Sequence, residues 1–389
     1  GVFSFSTGTF ADNCEVHYTG ANGAAGDKVT IANEQIQSKP NDFSHAGVSG
    51  DCGMGRAKGN GERFKFKLSH KSSYLCFLPT TSNELLEKNG KLFKIEVISK
   101  DNIAGTYNFS NGVLSHTRTR TNNSDKAITL ITGNGFSIEG STNIEKNGSY
   151  IVIAPGNHEL TVRYWLHYKK YSEEIKGTVT KTFKLNCEAG KIYDIKAKLD
   201  PTDYSQKKYY MWDAEKDYWN GYEQYQPKIK NTADNSHYPK SVTDKRWYNE
   251  KTAFPQKAYR TCGGCPNVNE TLWYIKKGDP HWDSEELWVM YDHLYTGGMW
   301  FKKKAYIISP TFSSVSAPNG NNYATQAISA SYDNINVPFG RPDDIKKCFY
   351  LPALGNYDHG RFYSIGEVGN YWTSTPTPQN GSSGVATRG

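Results

Sequence analysis

Residues 262–304 read CGGCPNVNETLWYIKKGDPHWDSEELWVMYDHLYTGGMWFKKK, and helical patterns are clearer here than elsewhere in the chain. Asp283 is followed three residues later by Glu286, which is the spacing of a capping box at the start of a helix. Four apolar side chains then recur at the helical spacing i, i+3, i+4 and i+7: Leu287, Met290, Tyr291 and Leu294. Gly297 and Gly298 follow where a helix would stop. The pattern predicts a short amphipathic helix between Asp283 and these glycines.

A weaker helical pattern lies just before this one. Its apolar residues are Val268, Leu272 and Ile275. Asn267 or Asn269 would cap its start and Gly278 would end it, while Pro280 forces a turn between the two patterns. The C-terminal part is therefore predicted to be an α+β, aromatic-rich module with two short helices.

Before residue 205, the pattern is that of β-strands. The clearest strand has five ring or aliphatic side chains on one face: Leu160, Val162, Tyr164, Leu166 and Tyr168. The apolar run 74–78, which ends at Pro79, suits a strand buried on both faces. Further strands are predicted at 64–68, 93–97, 128–131, 150–154, 193–199 and 305–308. Short strands separated by turn residues are typical of β-sandwiches.

These patterns divide the chain into four parts and predict a mainly β protein. Residues 1–120 and 121–205 would each form a β-sandwich. Residues 206–250 are rich in Tyr and Trp, show no sustained period, and are interpreted as a linker that packs on its neighbours. Residues 251–389 would be the C-terminal module.

Composition favours a folded, solvated β-protein. The 389 residues have a mean hydropathy of −0.71, yet 14% are aromatic, including 27 Tyr and 9 Trp. Such rings provide large buried areas and keep a polar tip. The net charge of +7 is spread over alternating strands, so no nucleic-acid partner is expected. No apolar run approaches the roughly 20 residues of a membrane-spanning helix.

The pair Cys262-Gly-Gly-Cys265 is the first candidate for chemistry. A zinc site would need a second such pair or two suitably spaced histidines, and a thioredoxin-like centre would need a βαβ setting. Neither is present in the sequence, so no metal or cofactor is expected. A local disulfide, a disulfide to Cys348 and free thiols all remain open.

Catalytic motifs are absent from the sequence. It contains no GxSxG, HExxH, phosphate-binding loop or EF-hand loop, and helix capping already accounts for the carboxylates of Asp283 and Glu286. The chain is therefore expected not to be an enzyme.

Aromatic residues interleaved with Asn, Asp and Gly form the candidate binding site. They are Trp282, Trp300, Tyr350, Tyr357, Tyr363, Tyr371 and Trp372. Exposed rings beside amides and carboxylates are suited to sugars, whose C–H faces stack on rings while their hydroxyls need directional partners. The alternative is that these rings form the core of a loop-rich domain.

Several long strings resemble fimbrillin-family surface proteins, the Bacteroidales-type pilins and adhesins of Gram-negative gut anaerobes. They include KLSHKSSYLCFL, IAGTYNFSNGVL, NGSYIVIAPGNHELTVRY and SQKKYYMWDAEKDYW. The C-terminal strings RTCGGCPNVNETLWYIKKGDPHWD, YLPALGNYDHGRFY and GNYWTSTP resemble a FISUMP-like module. In related chains GNYWTSTP continues into further strands, so the last strands of the module would be missing here.

The resemblance implies two transthyretin-like β-sandwiches followed by an adhesin-like module. It implies a lipoprotein exported by a signal peptide and anchored in the outer membrane through a lipidated cysteine upstream of Gly1. The partners would be other fimbrial subunits, joined by β-strand addition. The expected function is that of a non-enzymatic pilus subunit, a tip or accessory adhesin. The alternative is a surface glycan-binding lipoprotein that does not polymerise.

Overall fold

A computed structural model shows a mainly β protein, as predicted. It describes residues 4, 8–21, 27–59, 63–116, 123–170, 173–248, 257–326 and 336–376. The chain divides into two compact units, Gly1–Asp200 and Pro201–Gly389.

The first unit contains fifteen strands and three short α-helices among its described residues. The strands are β1 Cys14–Tyr18, β2 Lys28–Ile31, β3 Glu34–Ile36, β4 Gly53–Gly59, β5 Phe64–Lys65, β6 Ser69–His70, β7 Ser73–Thr80, β8 Gly90–Ser99, β9 Gly105–Asn108, β10 Ser115–His116, β11 Ala127–Ser137, β12 Ser149–Ile153, β13 Gly156–Lys170, β14 Glu173–Cys187 and β15 Ile192–Lys198. The helices are α1 Ala46–Ser49, α2 Glu84–Asn89 and α3 Ile144–Asn147, with a 3-10 turn at Asn123–Lys126.

Two sheets of this unit carry its core. In the larger sheet, β14, β13, β8, β11 and β3 are neighbours in that order, and the smaller sheet has the order β12, β7, β15. The five predicted inward residues of β13 are buried, as the alternation requires. The rings of Phe77 on β7 and Tyr164 on β13 meet edge to face with centroids 6.0 Å apart. The two sheets therefore face each other in a sandwich-like arrangement.

The predicted division at residue 120 is wrong. Strand β7 pairs with β12 and β15, and β8 pairs with β11 and β13, so strands from 1–120 and 121–205 share both sheets. These residues form one unit rather than two successive sandwiches. Hydrophobic periodicity located the strands, but it carries no information on which strand pairs with which.

The second unit contains six strands and one α-helix among its described residues. They are β16 Thr202–Asp203, α4 Val268–Lys277, β17 His281–Met290, β18 His293–Lys302, β19 Cys348–Pro352, β20 Asn356–Asp358 and β21 Arg361–Tyr363. Short 3-10 turns lie at Glu223–Tyr225, Lys304–Tyr306 and Ile345–Lys347. Within this unit β16, β17, β18 and β19 are hydrogen-bonded in that order, and β20 and β21 form a separate hairpin.

The weaker of the two predicted helices is confirmed. Helix α4 begins with a complete capping box, in which the Asn267 side chain accepts a hydrogen bond from the Glu270 amide and the Glu270 carboxylate accepts one from the Asn267 amide. Val268 and Leu272 are buried, and Gly278 is the residue after the last turn.

The stronger predicted helix is wrong, because its residues form the hairpin β17–β18. Tyr291 and Asp292 have φ values of 52° and 59°, which gives the two-residue turn that fits the twist of paired strands. Gly297 and Gly298 are not a helix stop. A Cβ at Gly297 would lie 2.5 Å from the Gly366 carbonyl oxygen, and one at Gly298 would lie 2.5 Å from that of Leu351. These glycines allow other chain segments to lie close to β18.

Two smaller predictions are also corrected. The interpreted linker, described over 206–248, contains the buried side chains Trp212, Tyr218 and Trp219 and contributes to the core of the second unit. The strand predicted at 305–308 is replaced by the 3-10 turn Lys304–Tyr306 and a short bridge between Ile308 and Thr311.

Candidate functional site

Trp300 and Tyr350 are directly opposite each other on β18 and β19. Their ring centroids are 4.9 Å apart, and Trp300 is only 9% exposed. The Trp300 indole N–H donates to the fully buried Asp283 carboxylate at 3.1 Å, and Asp283 also accepts the backbone amides of Glu285 and Glu286. Burial, together with the nearby Asp283 and Glu286, raises the pKa of Tyr350. Asp283 thus organises a strand bulge rather than a helix start.

Tyr357 packs against the same buried cluster as Tyr350, the one that contains Phe362. Its ring stacks on Phe362 and Tyr218, with centroid distances of 4.7 and 5.5 Å. Its hydroxyl donates to the Pro227 carbonyl at 2.7 Å. Burial raises the pKa of Tyr357. This ring packs in the interior.

Trp372 and Tyr371 also direct their polar tips at the main chain. The Trp372 indole donates to the Tyr210 carbonyl at 2.7 Å, and the Tyr371 hydroxyl donates to the Pro352 carbonyl at 2.5 Å. Trp372 packs against Trp212 and the cysteine turn described below. Trp282 is half-buried, and its backbone pairs with that of residue 339.

The structure therefore does not bring the seven predicted residues onto one surface. Tyr350 and Tyr357 pack against one buried cluster and Trp372 against another, whereas Tyr363 lines the open cleft beside the β20–β21 hairpin. Their affinity for sugars stays a prediction.

All seven cysteines are free thiols, which is one of the states that the sequence left open for Cys262, Cys265 and Cys348. Cys262 and Cys265 share a tight turn in which the Cys265 amide donates to the Cys262 carbonyl at 2.9 Å. Burial and the neighbouring Cys262 raise the pKa of the Cys265 thiol. Cys348 begins β19 and is buried there.

An open cleft of about 610 Å³ lies beside the β20–β21 hairpin in the second unit. Its lining is mostly polar: Lys230, Asn231, Ala233, Asn235, Asp358, His359, Arg361, Tyr363, Ser364 and Glu367. One wall is the hairpin, and the other is the segment 230–235, which begins in a turn at Lys230 and Asn231.

Main-chain pairing holds the two walls together. Ala233 lies opposite Arg361 as an antiparallel bridge, flanked by bonds from the Asp234 amide to the Gly360 carbonyl and from the Phe362 amide to the Thr232 carbonyl, each 3.0 Å long. These bonds flank the bridge rather than join its two residues, so the Ala233 and Arg361 side chains stand close together. Because the Ala233 side chain is small, the space beside the long Arg361 side chain stays open and forms the cleft.

The tip of the hairpin is fixed by backbone conformation. His359 and Gly360 both have positive φ values, 48° and 75°, as a two-residue turn requires. A Cβ at Gly360 would collide with the Asp234 carbonyl oxygen, so only glycine fits. The Gly360 amide also donates to the Tyr218 hydroxyl at 3.0 Å.

Charges in the cleft are mostly paired. Lys230 forms an ion pair with Glu367, and the His359 imidazole lies 2.6 Å from the Asp358 carboxylate. Within the described part of the chain, no hydrogen bond or ion pair engages the Arg361 guanidinium, which is exposed. The Arg361 guanidinium is therefore a cation that no described side chain of the cleft pairs with.

Apart from Tyr363, the sequence-based reasoning missed every residue of this cleft. The string YDHGRFY carries a hairpin signal in its Asp-His-Gly, but its partner segment NTADN lies about 130 residues earlier in the chain. Only the fold brings the two together.

Two further observations concern metals and membranes. Among the described residues, no group of three or more His, Cys, Asp or Glu side chains is placed to hold a metal ion. No helix in the described ranges is long and apolar enough to span a membrane.

Comparisons with known proteins give a limited result. No family model and no curated protein matches the chain. Among solved structures, similarity is found to three provisionally named cell adhesion proteins. One from Bacteroides ovatus has 16% identity, covers 50% of this chain and 68% of its own, and has a TM-score of 0.30. Those from Bacteroides fragilis and Bacteroides thetaiotaomicron have 12% identity and TM-scores of 0.24 and 0.21.

The last two matches cover 37% and 47% of this chain, and 47% and 63% of their own chains. At these identities and TM-scores the similarities carry no argument about function. The fimbrillin resemblance of the sequence therefore remains a prediction.

Proposed function

We propose that this chain is a non-enzymatic cell-surface subunit of a fimbrium, a tip or accessory adhesin. In this proposal the first unit joins other fimbrial subunits by strand addition and the second unit carries the adhesive surface. Export, a lipid anchor in the outer membrane and the absence of catalysis belong to the same proposal and rest on the fimbrillin resemblance of the sequence.

The observation that carries the proposal is the contrast between the two edges of the smaller sheet. At the β12 edge, the side-chain amides of Gln35 on β3 and of Gln37, the residue after β3, take the place of a neighbouring strand. The Gln35 amide donates to the Val152 carbonyl at 2.8 Å and accepts from the Val152 amide at 2.9 Å. Gln37 does the same with the Gly148 carbonyl and the Tyr150 amide, at 2.8 and 2.7 Å. This edge is closed.

The opposite edge, formed by β15, is open. β15 pairs in parallel with β7, from Ile192 opposite Tyr74 to Lys198 opposite Thr80, and no described residue pairs with its other side. Ile192, at the start of the strand, is 56% exposed. An unpaired edge of this length is a template for an added strand.

The hydrogen bonds between β15 and β7 show which backbone amides of β15 are available to an added strand. The Tyr74 amide donates to the Lys191 carbonyl at 3.0 Å, and the Leu199 amide donates to the Thr80 carbonyl at 2.7 Å. In a parallel ladder, alternate residues bond to opposite sides, so Ile195 bonds to β7 while Asp194 and Lys196 direct their amides outward.

A proline at position 196 tests the proposal. Lys196→Pro removes one outward N–H and leaves the β7 bonds intact, since proline is tolerated on sheet edges. Lys196→Ala is the matched control, because it removes the same charge and keeps the amide. The measurement is the amount of each variant in the sheared fimbrial fraction of cells that express it.

We expect Lys196→Ala in fibres at the wild-type level and Lys196→Pro to be strongly depleted from them. Incorporation of both variants at the wild-type level would overturn assembly through this edge.

A second candidate function is supported by the cleft beside the β20–β21 hairpin. Here the chain would be a surface glycan-binding lipoprotein that does not polymerise. Wild-type protein on the cell surface but never in sheared fibres would favour this candidate.

A further inference from the structure

Several polar groups of the cleft are not used by the fold itself. The guanidinium of Arg361 has no hydrogen-bond or ion-pair partner among the described residues, whereas Lys230 pairs with Glu367 and the His359 imidazole contacts Asp358. The side-chain amides of Asn231 and Asn235 are exposed at the rim. An unpaired guanidinium is the side chain best suited to clamp a carboxylate or sulfate with two parallel hydrogen bonds.

Strand alternation places an aromatic ring beside this cation. On β21 the Phe362 side chain points inward and is fully buried, so Arg361 and Tyr363 stand on the opposite face. Residues two apart in a strand are separated by about 7 Å. A pyranose ring with one anionic substituent spans a comparable length, so its face can contact Tyr363 while its anion meets Arg361.

The floor below these groups is rigid. Phe362 packs with the buried side chains of Trp288, Met290 and Ile365. The ring of Tyr209 meets Phe362 at 6.0 Å, and the Tyr209 hydroxyl is anchored to the Leu354 carbonyl at 2.5 Å. The groups that would contact a ligand therefore stand on a fixed base, which reduces the entropy lost on binding.

We propose that this cleft binds an anionic saccharide, with Arg361 holding its carboxylate or sulfate, Tyr363 contacting the sugar face, and Asn231 and Asn235 bonding its hydroxyls. The class of ligand and the location of its binding site are additions to the proposed fimbrial function. The inference rests only on the adhesive part of that role, and it places the binding site away from Trp300 and Trp372.

The test uses the purified full-length chain on a glycan array. The array presents uronate- and sialate-containing oligosaccharides, the carboxyl-reduced neutral form of each, and sulfated oligosaccharides on the same cores. We expect binding to the anionic forms, with at least about tenfold weaker binding to the neutral forms, because a charge-assisted bidentate contact is lost. A preference for carboxylated or for sulfated oligosaccharides shows which of the two anionic groups Arg361 binds.

Three variants make the assignment to the cleft specific. Arg361→Gln removes the cation, and Ala233→Phe fills the hollow from an exposed position; both should weaken binding about tenfold or more. Arg260→Gln makes the same charge change at an exposed site in the same unit, where Arg260 pairs with Glu215, and should leave binding unchanged. Circular dichroism of each variant confirms that the fold is kept.

Equal binding of neutral and anionic forms, no binding to any anionic form, or unchanged binding by Arg361→Gln would each overturn the inference. Because binding is measured on the monomer, this result is independent of fibre assembly. A chain that binds anionic sugars but never enters fibres would refute the fimbrial proposal and leave the inference standing.

Discussion

The two units bury different kinds of side chain, and the difference follows from how each satisfies its backbone. The first unit pairs long strands, so its peptide groups bond to each other and its core is mostly aliphatic, as at Ile95, Leu130 and Val162. The second unit has long irregular segments, and their carbonyl groups need other donors. Tyr and Trp tips supply them: Tyr209, Trp288, Tyr357, Tyr371 and Trp372 each donate to a main-chain carbonyl.

This contrast explains why the aromatic richness of the C-terminal part is not by itself a binding site. A ring with a polar tip fills space and satisfies a loop carbonyl at once, so a unit with few long strands gains more from Tyr and Trp than from Leu and Ile. Within the described residues, an open cleft is lined by just one of the seven predicted rings, Tyr363.

The largest effect should come from removing a ring of the second unit. Trp300→Ala should lower the free energy of unfolding by about 3–5 kcal/mol, because it leaves a cavity and removes a donor from the buried Asp283. Chemical denaturation measures the change. The exposed Tyr259→Ala is the control and should shift stability by less than about 0.5 kcal/mol. A loss below about 1 kcal/mol for Trp300→Ala would show that the ring is not part of the core.

A smaller effect is expected at the closed edge of the first unit. Gln35→Leu keeps the side-chain volume but leaves the Val152 amide and carbonyl without partners, which should cost about 2–3 kcal/mol. It should also increase self-association, since the freed edge can pair with a second molecule. Denaturation and light scattering test both effects. Unchanged stability with no association would contradict the role given to the glutamines.

Asp200 should make the first unit sensitive to acid. It accepts hydrogen bonds from Thr81, Ser82 and Lys198 and so clamps the end of β15. Burial alone would raise the pKa of Asp200, but the hydrogen bonds from Ser82, Lys198 and Thr81 outweigh burial and hold it well below its ordinary value of 3.8.

A carboxyl with a lowered pKa stabilises the fold fully above its unfolded-state pKa, and this contribution is lost progressively as the pH falls from that value to the lower folded-state pKa. Asp200→Asn should therefore lose about 1–2 kcal/mol at pH 7 and less at pH 2. Thermal unfolding at several pH values measures the difference. A constant gap between wild type and variant across that range would argue against the clamp.

The smallest effect should come from the helix cap in the second unit. Asn267→Ala removes the acceptor for the Glu270 amide and should cost about 1 kcal/mol, whereas Asn267→Ser should cost a few tenths. Denaturation of both variants tests the cap. Equal losses for alanine and serine would mean that the hydrogen bond is not what the cap contributes.

Two neighbouring segments, α4 and the β17–β18 hairpin, show which parts of the fold the sequence can predict. Helix α4 was predictable because both of its ends carry local signals, the capping box and Gly278. The segment after it has the same helical spacing, but β-sheet pairing with β16 and β19 and a turn at Tyr291 and Asp292 override that spacing. Strand positions follow from alternation, whereas sheet partners and the two-walled cleft depend on contacts distant in sequence.

The open edge of β15 is the central claim about assembly, and single-residue hydrogen exchange tests it most directly. In the monomer, the amides of Asp194 and Lys196 should exchange quickly while those of Ile195 and Ala197 are protected by β7. In assembled fibres, Asp194 and Lys196 should become protected as well. Protection of these two amides already in the monomer, or rapid exchange in the fibre, would contradict the account.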